Sequence, residues 1–180
     1  MATPTSYQRV GATASDYDAS AGPTYLKFDG VDDSLASATF AAGTLASSMD
    51  CLIAVRRDSA ADMACGLAHN WPTSYFGYAG PWHMVDGCGS PAVLVNGLAV
   101  PALGGYTGID LKAVLTPGTW HIIEFRGLNL SAWTSLKADT DPEVRLNGAL
   151  GGIQLFASGQ DANRDKARAQ MAAYFGVTLP

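Results

Sequence analysis

The sequence predicts an all-β chain, a sandwich of two antiparallel sheets with one α-helix at its C-terminal end. Three observations carry this. Short apolar alternations of period two recur at Ser48–Arg57, Ala92–Asn96, Thr119–Arg126, Glu143–Leu146 and Gly152–Ala157, separated by Gly, Pro and Asn clusters. Only Glu124 and Glu143 among the 16 acidic residues are glutamates, and 20 glycines favour turns over helices. Helical spacing emerges convincingly only at the end, where Ala167, Met171, Tyr174 and Phe175 fall on one stripe.

With 180 residues, 48% of them hydrophobic, the chain has material for one domain and its core. Residues 1–22 read as an extended N-terminal arm and residues 23–180 as the domain, with its helix over 161–175. Up to Ser20 the arm is rich in Ala, Thr, Ser and Asp, and Tyr7, Val10 and Tyr17 are its only sizeable apolar side chains. It is either a disordered tail or an arm ordered by docking on a neighbouring subunit, with Tyr7, Arg9, Val10 and Tyr17 as the interface candidates.

Tyr25 to Leu35 reads as a β-hairpin. Leu26 and Phe28 share one strand face, Asp29-Gly30 suits a tight turn, and Ser34-Leu35-Ala36 returns antiparallel. In the strand from Ser48 to Arg57, Met49, Cys51, Ile53 and Val55 form an apolar face and Asp50, Leu52, Ala54 and Arg56 a mixed one, which predicts a central position. Val95-Asn96-Gly97 and Leu146-Asn147-Gly148 each signal a hairpin turn. Ser158 or Asp161 is expected to cap the helix and Gly176 to stop it. The core should include Leu26, Phe28, Ile53, Val55, Leu94, Trp120, Ile122, Leu155 and Phe175.

Phe28-Asp29-Gly30-Val31-Asp32-Asp33 after a short strand resembles the opening of concanavalin A-like, laminin G-like jelly-roll domains. Gly118-Thr119-Trp120-His121-Ile122-Ile123 resembles their inner strand, and Gly152-Ile153-Gln154-Leu155-Phe156 with the helix and Tyr174-Phe175-Gly176-Val177-Thr178 resembles their closing strand, helix and tail. Gln160-Asp161-Ala162-Asn163-Arg164 departs from the family's Leu-Ser-Asp-like cap. The leader Ser6-Tyr7-Gln8-Arg9-Val10 and the overall size also resemble tailed-phage virion proteins of heads, tails or fibres. The fold implied is a jelly roll. The function implied is that of a non-enzymatic structural component, a homo-oligomer in contact with other virion proteins, and the alternative is a carbohydrate-binding module for host-surface glycans.

A net charge of −5 and 11 scattered basic residues argue against a nucleic-acid surface. No apolar window approaches a bilayer span and the first residues lack a secretory pattern, so the expected location is the virion, after synthesis in the host cytoplasm. Cys51, Cys65 and Cys88 are an odd set, expected to be free thiols. Glycoside hydrolysis needs paired carboxylates; Glu124 has no acidic residue two positions to either side, and Glu143 follows Asp141-Pro142 in a stretch that reads as a loop, so both read as solvated and no catalytic residue and no cofactor are expected.

Residues 65 to 88 hold the most suggestive constellation. Cys65, His69, His83 and Cys88 match no common zinc spacing and read as free cysteines and polar-surface histidines, with no metal expected. Between them, Trp71, Tyr75, Tyr78 and Trp82, with Asn70 and Asp86 as hydrogen-bonding partners, suit stacking on sugar rings, and Phe76 adds a further ring; the competing reading is core and subunit-interface packing. Asp29, Asp32 and Asp33 form an acidic turn, either a calcium site short of ligands or an ordinary solvated turn.

Overall fold

The computed structural model describes residues 8–10, 23, 25–29, 34–58, 65–70, 74–79, 82–86, 88–100, 114–138 and 147–180. Residues 8–10, 65–70, 74–79 and 82–86 are described by backbone and register. Among the described residues the chain is mostly β: β1 (Gln8–Val10), β2 (Leu26–Asp29), β3 (Ser34–Ala36), β4 (Met49–Arg57), β5 (Cys65–Asn70), β6 (Ser74–Ala79), β7 (Trp82–Asp86), β8 (Ala92–Val95), β9 (Leu98–Ala99), β10 (Trp120–Leu128), β11 (Lys137–Ala138) and β12 (Asn147–Ala157), followed by helix α1 (Asp161–Phe175). Every described pairing is antiparallel. One six-stranded sheet has the order β2-β12-β4-β10-β8-β9, and a second hydrogen-bonded set runs β1-β3-β11-β5-β6-β7.

The first sheet is buried on both faces, and this follows from the alternation in β4. Met49, Cys51, Ile53 and Val55 join Ile123, Phe125, Val93, Val95, Phe28 and Leu150 on one face, where Cys88, Leu115, Leu128, Leu130 and Trp133 pack against them. Leu52, Ala54 and Ile122 point the other way and meet Met171, Ala172 and Phe175 of α1. The face that reads as mixed is therefore the seat of the helix. β4 sits centrally, as its apolar pattern predicts, between β10 and β12.

Several local signals are overridden. Leu26 to Asp29 pairs with Asn147 to Leu150 in the first sheet, whereas Ser34 to Ala36 pairs with β1 and β11 in the second. The expected hairpin is thus two strands of different sheets, because each finds a longer-range partner. The Asn147-Gly148 dipeptide makes no turn but opens β12, with Gly148 opposite both Phe28 and Arg57. A Cβ there would lie 2.1 Å from the Arg56 carbonyl oxygen, so the glycine serves close strand approach. Asn96-Gly97 does turn, with φ of 52° and 85°, the left-handed pair that a two-residue hairpin needs. Within the arm, Gln8 to Val10 is a strand on the edge of the second sheet, paired with Ala36 to Ser34, so this part is ordered by its own chain. Leu94 is half-buried and outside both core clusters, while Leu26, Trp120 and Leu155 pack at cluster margins.

α1 spans the predicted residues, but neither expected cap forms. Gln160 occupies the capping position and makes no side-chain cap bond, while Asp161 turns its carboxylate to Arg164. The helix stops at Gly176, and the Val177 N–H donates to the Ala172 carbonyl. Its buried residues are Arg164, Met171, Ala172 and Phe175; Tyr174, expected on the stripe, is 56% exposed.

The helix approaches β12 at the irregularity between Leu150 and Gly152. Gly151 lies beneath the Phe175 ring, and a Cβ on it would fall 2.2 Å from Phe175 Cζ. Gly151→Ala should cost about 1–3 kcal/mol by overpacking, and Phe175→Ala about 3–5 kcal/mol. In the double variant the Gly151→Ala cost should disappear, since the methyl enters space the ring has left. Urea midpoints of the four proteins check this, and additive losses would mean that the ring does not cover Gly151.

Candidate functional site

The densest polar chemistry among the described residues lies between the first sheet and the N-terminal half of α1. Glu124 stands in the middle of β10, between Leu52 of β4 and Leu94 of β8. Alternation aims it, with Trp120 and Ile122, at the helix. On α1, Arg164 and Arg168 are one turn apart and continue the line of Met171 and Phe175. The buried stripe is basic in its first half and apolar in its second.

Three guanidiniums converge on one carboxylate. Arg126 Nε lies 2.5 Å and Arg164 Nε 2.9 Å from Glu124 Oε1, and Arg168 Nη1 lies 2.7 Å from Oε2. The Glu124 side chain is 1% exposed and that of Arg164 6%, so the pairing takes place away from water. Arg164 also binds Asp50 of β4 and reaches Asp161 at 2.5 Å and Asp165 at 3.1 Å. Asp50 in turn accepts the Gly127 N–H at 3.0 Å. Burial alone would lower the Arg164 pKa, but Asp50, Asp165, Glu124 and Asp161 outweigh it and hold the pKa above its ordinary value. The reading of Glu124 as a solvated carboxylate is therefore overturned: its β-strand lies under a helix, and its charge is met by Arg126 two residues along β10 and by Arg164 and Arg168 of α1, which no spacing within β10 reveals.

The far end of the helix is aromatic. Phe175 packs on Trp120 with ring centroids 4.4 Å apart, and Tyr25 meets Trp120 edge-on at 5.5 Å. The Arg56 guanidinium lies 5.1 Å from the Tyr25 centroid and 5.4 Å from that of Trp120, and its Nε is held by Asp58 at 2.7 Å.

Of the candidate ligand residues, Asn70, Tyr75, Tyr78, Trp82 and Asp86 lie in a β-meander of the second sheet. Tyr75 stands opposite Asp86, Ala79 opposite Trp82, and Tyr78 opposite both Cys65 and His83. By strand parity Tyr75, Trp82 and Asp86 share one face and Tyr78 takes the other, as does Asn70, which the bulge in β5 brings opposite Ser74. His69 lies on β5, Phe76 on β6, and Arg9 and Val10 on β1. Asp29 ends β2, while Tyr7, Tyr17, Asp32, Asp33, Trp71 and Glu143 lie outside the described residues. Cys88 is fully buried in the apolar core. Burial and the nearby Asp50 push the Cys51 thiol up, which leaves it protonated and unreactive near neutral pH. Among the described residues no group of three or more His, Cys, Asp or Glu side chains is placed to hold a metal ion. Comparison with protein-family models, with curated proteins and with solved structures finds no match for this chain.

Removing one partner of a buried pair strands the others without a counter-charge. Glu124→Gln should therefore cost about 3–5 kcal/mol, whereas Arg126→Ala, whose side chain is 36% exposed, should cost under about 1 kcal/mol. Chemical denaturation measures both, and equal small losses would return Glu124 to the solvent.

Proposed function

We propose that this chain is a non-enzymatic structural protein of a tailed-phage virion, a head-decoration, tail or fibre component built on a concanavalin A-like jelly-roll sandwich. In that sandwich the second strand set covers the apolar face of the first sheet opposite α1. The observation that carries the non-enzymatic reading is the state of Glu124. A glycosidase on such a scaffold needs one carboxylate to give a proton and another to attack or activate water, both facing an open cleft. Here both oxygens of Glu124 are taken by arginines beneath a helix, so the acidic chemistry of the central strands is spent on holding the fold together.

The virion assignment is supported by the resemblance carried by Ser6-Tyr7-Gln8-Arg9-Val10 and by the overall size. A homo-oligomeric assembly is supported by β1, which the arm places on the edge of a sheet, where a backbone can pair with a neighbour. No helix among the described residues is long and apolar enough to cross a membrane. One observation favours glycan binding as the second reading: by strand parity Tyr75 of β6 shares a face with Trp82 and Asp86 of the edge strand β7, two aromatic residues and an acidic one of the kind that hold a sugar.

Sedimentation with purified particles, run beside a glycan array, separates the two. The expected result is co-sedimentation and no retained sugar. Sugar binding lost on Trp82→Ala, without particle association, would reverse the order.

A further inference from the structure

His121 is a buried titratable group that the arginine cluster does not use. It is 6% exposed and lies on the face of β10 opposite Glu124, beside Val55 of β4. Two hydrogen-bond donors converge on its ring. The Thr116 backbone N–H donates to Nε2 at 3.0 Å, and the Asn96 side-chain nitrogen lies 3.2 Å from Nδ1. The Asn96 amide is oriented by its oxygen, which accepts the Ile122 N–H at 2.9 Å, so its NH2 group must face the ring. Either neutral tautomer of imidazole can accept one of these donors. The imidazolium, with an N–H at both positions, can accept neither.

These contacts join three parts of the chain. Asn96 is the first residue of the β8–β9 turn, and its backbone N–H also donates to the Ile122 carbonyl at 2.8 Å. Thr116 follows Leu115, whose side chain is 3% exposed and belongs to the apolar core. At Gly97 the same turn meets the end of the chain, for a Cβ there would lie 3.2 Å from Pro180 Cδ. Among the described residues Arg57 is the charged neighbour of the ring, while the turn and the 114–119 segment present the uncharged Asn96 and Thr116.

We propose that Asn96, His121 and Thr116 form an acid-released latch: the neutral ring accepts one of the two donors at a time, tying either the β8–β9 turn or the 114–119 segment to β10, and once it takes a second proton it can hold neither. Burial, with the positive charge of Arg57, holds the His121 pKa below its ordinary value near 6.5. The open state binds the proton more readily than the closed one. The latch's contribution is therefore complete above about pH 6.5 and is lost as pH falls toward the depressed value of the closed state.

Amide hydrogen exchange on the intact protein tests this, read as protection factors so that intrinsic rates cancel. Between pH 7 and pH 5 the Thr116 and Ile122 amides should lose protection by up to about tenfold per pH unit, while those of Ile53 and Phe125 keep theirs. In His121→Gln the Thr116 and Ile122 protection should no longer depend on pH. Constant protection in the unaltered protein, or the same acid loss in His121→Gln, overturns the latch. Should the variant fail to fold, the ring 15N shifts of His121 in the unaltered protein decide. A ring that gains its second proton near pH 6.5 with both amides still protected overturns the proposal, and a ring whose second protonation coincides with loss of amide protection supports it.

Discussion

A carboxylate enclosed by three guanidiniums in the middle of a sheet constrains everything placed around it. Once Glu124 is covered, it needs counter-charge from the covering element itself, and Arg164 and Arg168 supply it from α1. A slip of the helix by one turn would carry the arginines about 5.4 Å along its axis and leave Glu124 buried and unpaired. Apolar contacts through Met171, Ala172 and Phe175 tolerate small shifts; the ionic half does not. The helix is thus attached by its C-terminal half and registered by its N-terminal half.

The docking shapes the sheet beneath it. β12 must carry a helix over one face and the main apolar cluster on the other, and it meets both demands by an irregularity at Gly151, where the Phe175 ring takes the place of a side chain. After that point Phe156 turns to the helix while Ile153 and Leu155 face the larger cluster. The Gly127 irregularity in β10 plays a related part, since its N–H reaches Asp50, which also binds Arg164. Backbone adjustments on two strands converge on one guanidinium.

How far the sequence could be read depended on whether the deciding partner was near or distant. Alternation in β4 and β10, the Asn96-Gly97 turn and the helix limits are local, and Met49, Cys51, Ile53 and Val55 lie on the face they predict. The Asp29-Gly30 and Asn147-Gly148 dipeptides are equally strong locally, yet the strands beside them pair with segments far away in the chain. Glu124 was the largest misreading. Its isolation among Ile123 and Phe125 suggested solvent, although Arg164 and Arg168 stand seven residues before Met171 and Phe175 and so share their stripe. Reading charged residues together with the apolar periodicity would have placed them at the sheet. The latch was less accessible, since nothing near His121 in the chain points to Asn96.

The order of strands in the first sheet also sets the order in which the molecule can be assembled. β2 and β4 are made early and are near in sequence, but they do not pair; β12 lies between them. A nascent chain therefore carries two unpaired strand edges until residue 157 has emerged, some hundred residues after β4, and α1 cannot dock before then. Loop closure over such distances is slow, and apolar strands exposed meanwhile invite pairing with other chains. During synthesis the most aggregation-prone stretch is thus the one that ends as the best buried, β4, and the last tenth of the chain is what shields its second face.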